Sequence, residues 1–118
     1  MVRHESQAAS APVYGDGVSK VAKQILVGPR DGFDGYLREF TLGPGGHTPY
    51  HHHDWYHVVY VLEGTGSVRI DGQDCPVKAG SVVHAAANAE HGFTNQGEGR
   101  MRFLCLVPRS GDSYPENG

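Results

Sequence analysis

Five of the eight histidines in this 118-residue chain fall between His47 and His57. They lie in the stretch Gly45 to Gly64, GGHTPYHHHDWYHVVYVLEG. In an extended strand successive side chains point to opposite faces, so His51 and His53 share a face and His52 points away. Two imidazoles at i and i+2 stand about 6–7 Å apart at their Cα atoms, from a rise of about 3.3 Å per residue. That spacing lets both rings converge on one ion at metal–nitrogen distances of about 2.0–2.1 Å. His57 has the same parity, but Asp54, Trp55 and Tyr56 read as a bend before it, so alternation alone does not aim it. A second feature, His91-Gly-Phe-Thr-Asn95, answers the first. Together they predict a metal site built on β-strands.

The spacing Gly45-x5-His51-x-His53-x3-His57-x6-Gly64 resembles the first motif of the cupin superfamily, Gly-x5-His-x-His-x3,4-Glu-x6-Gly. Gly80 through His91-x3-Asn95 resembles the second cupin motif, which supplies one more histidine. Ala86 and Asn88 replace that motif's usual proline and second glycine. The resemblance covers residues 33–107. It implies an all-β, cupin-type jelly-roll barrel with His51, His53, His57 and His91 as metal ligands. His57 stands where the family has glutamate. The chain is therefore similar to the small single-domain bacterial cupins of the cupin_2 type that have an all-histidine site. That subgroup implies one divalent transition metal per chain, with manganese as first choice and iron, nickel and zinc as alternatives.

Glutamate replaced by histidine changes the charge of such a site. Three imidazoles and a carboxylate leave a divalent ion at a net charge of about +1, and four neutral imidazoles leave it at about +2. An anionic ligand is favoured accordingly. On an octahedral ion four protein ligands leave two positions for exchange. On a tetrahedral zinc they leave none, and the site is structural.

The elements that must hold these residues are short. Seventeen glycines and seven prolines are scattered along the chain, as many strands and turns require, and no helical periodicity competes. Strands are expected at residues 18–27, 33–42, 58–62, 67–70, 73–77, 81–85 and 101–107. Gly43-Pro44-Gly45-Gly46 reads as a stop after the second of these. Glu63-Gly64-Thr65-Gly66 and Asp71-Gly72 read as hairpin turns. The domain is expected over 18–108, with flexible segments at 1–17 and 109–118. A homodimer would add burial to a modest core, with residues 18–27 as a pairing segment.

The formal net charge is −3, and without a basic run nucleic-acid binding is disfavoured. No apolar run reaches the roughly 18 residues needed to span a membrane. The first seventeen residues lack the apolar core of a signal peptide. Cys75 and Cys105 show no metal or redox spacing, and Cys105 lies in an apolar run. A cytoplasmic protein with reduced thiols is expected.

The ligand is a small molecule, and the first expectation is a metal-dependent enzyme acting on an oxyanion or carboxylate, with decarboxylase, dioxygenase or isomerase chemistry. The alternatives are a non-catalytic small-molecule-binding cupin and a structural metal site. Arg38 and Arg102 are candidates to anchor a carboxylate. Tyr36, Phe40, Tyr60 and Phe103 are candidates to line the pocket. Glu63 and Glu90 are candidates for proton transfer, and no catalytic residue is assigned. His52 is expected outside the barrel, His47 at its mouth, and His84 is left unassigned.

Overall fold

The computed structural model describes residues 1–115. Residues 116–118, the end of the expected C-terminal segment, lie outside the described residues. Nine strands follow in order: β1 Ser10–Pro12, β2 Ser19–Val27, β3 Tyr36–His47, β4 His57–Glu63, β5 Thr65–Ile70, β6 Gln73–Lys78, β7 Val82–Ala85, β8 His91–Asn95 and β9 Met101–Val107. Among the described residues there is no α-helix, only three single 3-10 turns. The strands form one curled antiparallel sheet in the order β6-β5-β8-β3-β9-β4-β7, with β2 laddered on β3 and β1 on β2.

Alternation explains the roll. Along β4 and β9 every second residue is buried, and the inward side chains meet in one core that includes Leu42, Val59, Val61, Val68, Met101 and Phe103. The sheet curls because that apolar face must be covered and no other layer exists among the described residues to cover it.

Two expectations about the turns are corrected. Residues 63–66 do not close a hairpin. β4 ladders with β7 and β9, and β5 ladders with β6 and β8, so the segment is a crossover between the two sides of the roll. Gly64 makes it possible. Its φ is +90°, and a Cβ there would stand 2.6 Å from the Arg100 carbonyl oxygen.

Nor does Gly43-Pro44-Gly45-Gly46 stop β3, which runs on to His47. The register with β2 slips between Ser19 and Val21, where Lys20 takes a φ of 55° and Gly45 a φ of 75°. A bulge absorbs the proline and glycines, and the extended run delivers the chain to the histidine stretch. Asp71-Gly72 does turn a hairpin between β5 and β6, with both residues at positive φ, as a type I′ turn requires.

The terminal segments pack on this frame. β1 ladders on β2. Lys23 and Arg38 donate to the Asp112 carboxylate, and the Tyr114 ring meets Tyr36 edge-on at 5.4 Å.

Candidate metal centre

His51 and His91 are placed by backbone pairing. They form an isolated antiparallel bridge in which each N–H donates to the other's carbonyl, at 3.1 and 2.8 Å. Residues so paired carry side chains on one face, a few ångströms apart. His53 follows two residues later on the same side. Its carbonyl accepts from the Asn88 N–H, and Asn88 sits at a φ of 69°, a left-handed conformation that asparagine tolerates. The chain then bends at Asp54 and Trp55 and re-enters the sheet at His57, opposite Ala85. Burial alternates from His51 to Tyr60, so His57 faces inward, while His52 and His84 are exposed.

The rings converge. His51, His53 and His91 each offer a nitrogen, and the three lie within 4.8 Å of one another. His57 borders the group, with its ring centroid 4.4 Å from that of His91 and 5.4 Å from that of His53. His51 Nε2 and His53 Nε2 are 3.2 Å apart. Two nitrogens held about 2.0–2.1 Å from one ion stand about 2.9–3.4 Å apart, from right-angled to tetrahedral arrangement.

Among the described residues the buried Nε2 atoms of His57 and His91 have no partner. Their Nδ1 atoms do: His91 Nδ1 lies 3.0 Å from the Ala89 carbonyl oxygen and His57 Nδ1 lies 3.3 Å from Cys105 Sγ. A carbonyl only accepts, so His91 carries its proton on Nδ1 and turns the lone pair of Nε2 inward. Trp55 stacks on His53 at 4.3 Å, with the planes 4° apart, and fixes that ring. The donor set thus fits a divalent transition metal: unpartnered Nε2 atoms on His57 and His91 beside the His51–His53 nitrogen pair, on rings held by their other contacts.

Electrostatics favour neutral ligands. Burial, then the neighbouring His53, His91 and His52, pushes His51 down to about 4. Burial, then His91 and Arg38, pushes His57 down to about 3. Burial also lowers His53. Imidazoles that stay uncharged at neutral pH keep their lone pairs for an ion.

The histidines open on a cavity of about 330 Å³. Its lining includes His51, His57 and His91, Phe40, Phe93 and Phe103, and Lys23 and Arg38, and Arg38 and His57 both reach the Cys105 sulfur. Of the sequence candidates, Arg38, Phe40 and Phe103 line it. Tyr36 is buried elsewhere in the core, and Tyr60 is 48% exposed on the outer face. Arg102 points away, donating to Glu63, Glu39 and Glu5. Glu63 is held by Arg100 and Arg102. Glu90 is exposed, and neither glutamate lines the cavity. His47 ends β3, with Nδ1 2.7 Å from the Gly17 carbonyl oxygen. Lys23, Cys105 and Asp112 carry functional geometry that spacing did not reveal. Only the burial of Cys105 was signalled, by its apolar strand.

The cupin domain family model (Cupin_2) matches residues 38–107. The chain is 31% identical over 87 residues to the 1-methylthio-D-xylulose 5-phosphate methylsulfurylase of Rhodospirillum rubrum, covering 74% of this chain and 55% of that protein. It is 31% identical over 67 residues to an oxalate-binding protein of Thermotoga maritima, covering 56% of this chain and 55% of that protein. The chain thus spans about half the length of these curated relatives. Among solved structures, the polyketide cyclase RemF of Streptomyces resistomycificus superposes with a TM-score of 0.84 at 31% identity, over 92% of this chain and 80% of that one. With strands, motif spacing and histidine cluster all in agreement, this chain belongs to the cupin superfamily, as a small domain of the Cupin_2 family.

Proposed function

We propose that the chain is a metal-dependent enzyme acting on a small oxyanion or carboxylate, by decarboxylase- or dioxygenase-like chemistry. One divalent ion is held by His51, His53, His57 and His91, with manganese first and iron, nickel or zinc as alternatives. The observation that carries this is the pair of buried, partnerless Nε2 atoms on His57 and His91 beside the His51–His53 nitrogen pair. Such orphaned polar atoms are costly unless something binds them. A divalent ion there supplies Lewis acidity and exchangeable positions for an oxygen ligand. The chain's own residues orient that ligand: the phenylalanine side shields it from water, and Arg38 and Lys23 attract its negative charge.

Three further assignments go with the proposal. Val58, Tyr60 and Val82 present an apolar outer face, which suits a homodimer. Free thiols at Cys75 and Cys105 suit the cytoplasm. No helix among the described residues is long and apolar enough to cross a membrane. A non-catalytic ligand-binding role is the second reading, favoured by the lack of a buried carboxylate in the cavity lining, where the exposed Asp16 is the one acidic residue among the described residues.

The test is metal content by mass spectrometry on untagged protein, followed by titration with carboxylates and oxygen. Near one manganese, iron or nickel per chain, with ligand turnover, supports the enzyme. Binding without turnover supports the second reading, and inert zinc or an empty chain sinks the first.

Replacing His57 by glutamate checks the charge argument. The variant should keep its metal and bind small anions about tenfold more weakly, since the ion's net charge falls by one. Calorimetry of anion binding measures it, and equal or tighter binding refutes the argument.

A further inference from the structure

The inward face of β9 brings three residues together. Cys105 stands opposite Arg38 of β3 and opposite Val59 of β4. His57 lies two residues before Val59, and burial alternates along β4 so that both face the core. A residue diagonal to Cys105 across the ladder is within reach when its side chain is a ring. The buried Cys105 thiol meets both neighbours: Arg38 Nη2 donates to Sγ at 3.0 Å, and His57 Nδ1 lies 3.3 Å from Sγ. A guanidinium only donates, so the sulfur accepts in the first of these contacts.

Arg38 is itself anchored. Its Nη1 donates to Asp112 at 3.1 Å, and Lys23 donates to both oxygens of that carboxylate. A line of contacts therefore runs from the segment after β9 through Arg38 to Cys105 and ends on the His57 ring. Among the described residues Sγ is the one hydrogen-bond partner of His57 Nδ1, and the buried Nε2 of the same ring has none. His91 shows the same division, with Nδ1 on the Ala89 carbonyl and a partnerless Nε2.

We infer that Cys105 is a positioning residue for the metal centre: its sulfur, pinned by Arg38, accepts the His57 Nδ1–H and so leaves the Nε2 lone pair to the ion. The inference rests on the metal-dependent reading proposed above. A neutral imidazole free of metal carries its proton on either nitrogen, whereas one ligated through Nε2 carries it on Nδ1 alone. An acceptor at Nδ1 therefore stabilises the ligated form selectively. Ligating histidines ordinarily give that N–H to a carboxylate, a carbonyl or water. Here a thiol takes that place, at the histidine that stands where the cupin motif has glutamate. Without the sulfur the ligated ring would bury a donor with no acceptor, at the cost of its desolvation.

The experiment compares wild type with Cys105→Val, which removes the acceptor, and Cys105→Ser, which restores one. Val61→Ala, at a fully buried β4 position outside the cavity lining, is the packing control. Zinc affinity is measured by competition with a chromophoric chelator, and manganese affinity by calorimetry. Ring N–H signals are read by proton–nitrogen NMR on the zinc-loaded chains, zinc being diamagnetic, and His57→Gln identifies the His57 signal by its loss. Cys105→Val should bind either ion at least about tenfold more weakly. Cys105→Ser should recover most of that loss, and Val61→Ala should bind as wild type does. In the spectra the His57 Nδ1–H should lose its hydrogen-bonded shift in Cys105→Val and keep one in Cys105→Ser. The His91 Nδ1–H, held by the Ala89 carbonyl, should stay unmoved in both, a separation of the two rings that a merely structural cysteine would not give.

A smaller loss in Cys105→Val, a serine variant as weak as the valine variant, or a His57 signal unmoved by valine overturns the inference, while metal uptake by wild type still upholds the metal reading. An equal loss in Val61→Ala also overturns it, because the effect is then one of packing. A wild-type chain that takes up neither zinc nor manganese overturns the metal reading and this inference with it. Should Cys105→Val not fold, Cys105→Ala is held to the same two readouts.

Discussion

The His91→Ala protein should bind its divalent ion more than about 100-fold more weakly than wild type while keeping its fold. Loss of a mere supporting partner of a ligand costs about 10- to 100-fold, and His91 would be a ligand itself. It is 4% exposed, and its ring neighbours those of His51, His53 and His57 at 5.1, 5.8 and 4.4 Å. His53 also neighbours the other three rings, at 4.2, 5.4 and 5.8 Å, but His91 is the more deeply buried of the two. The fold should survive because the β8 backbone does the pairing: the two hydrogen bonds between residues 91 and 51 are main-chain to main-chain. The deleted ring also borders an existing cavity, which water can enter. Metal titration with mass-spectrometric stoichiometry measures the effect, and His52→Ala and His84→Ala, both on exposed side chains, serve as controls. Undiminished affinity in His91→Ala would remove the assignment.

How far the site could be read in advance depended on the range of the interactions that build it. His51 and His53 were legible because strand alternation is local. His57 was harder, because the bend at Asp54 and Trp55 breaks the count, and only β4's burial pattern restores it. The partnership of His91 with His51 rested on family resemblance, since forty residues separate them and the bridge is a long-range register. Residues 63–66 carry a hairpin's glycines, but nothing local says that β4 and β5 belong to opposite sides of the roll. That outcome depends on which strands bury which faces. The basic residues that line the cavity were half visible. Arg38 was a candidate by its inward parity in β3, whereas Lys23 and Asp112 meet across 89 positions. A polar tail offers no periodicity from which such a contact can be inferred.

The metal-free chain should lose stability as pH falls from about 6.5 towards 4, and a bound divalent ion should protect it in the upper part of that window. The sign follows from proton binding. His51 and His57 sit at about 4 and about 3 in the folded chain, against about 6.5 when unfolded. Above pH 6.5 neither state takes up these protons, and the full stability is present. Below it the unfolded chain protonates first, so folding is progressively opposed until the folded values are reached. One such proton gives a slope of at most about 1.4 kcal/mol per pH unit. His57, 8% exposed, should approach that limit, while the more accessible His51 adds less through solvent screening.

The ion-paired carboxylates Asp31, Asp74 and Glu63 are held low by their arginine partners, so their losses begin at about pH 5 and leave the window above it to the histidines. Glu39 runs the other way: burial, then the Glu5 carboxyl beside it, raises it, and its protonation opposes the trend. Urea unfolding at pH 7.0, 6.0, 5.0 and 4.5, with and without manganese, measures the effect. His57→Gln should flatten the metal-free curve. A metal-free chain as stable at pH 4.5 as at pH 7 would mean that the imidazoles reach water or find partners when protonated, and the enclosed donor set would lose its physical basis.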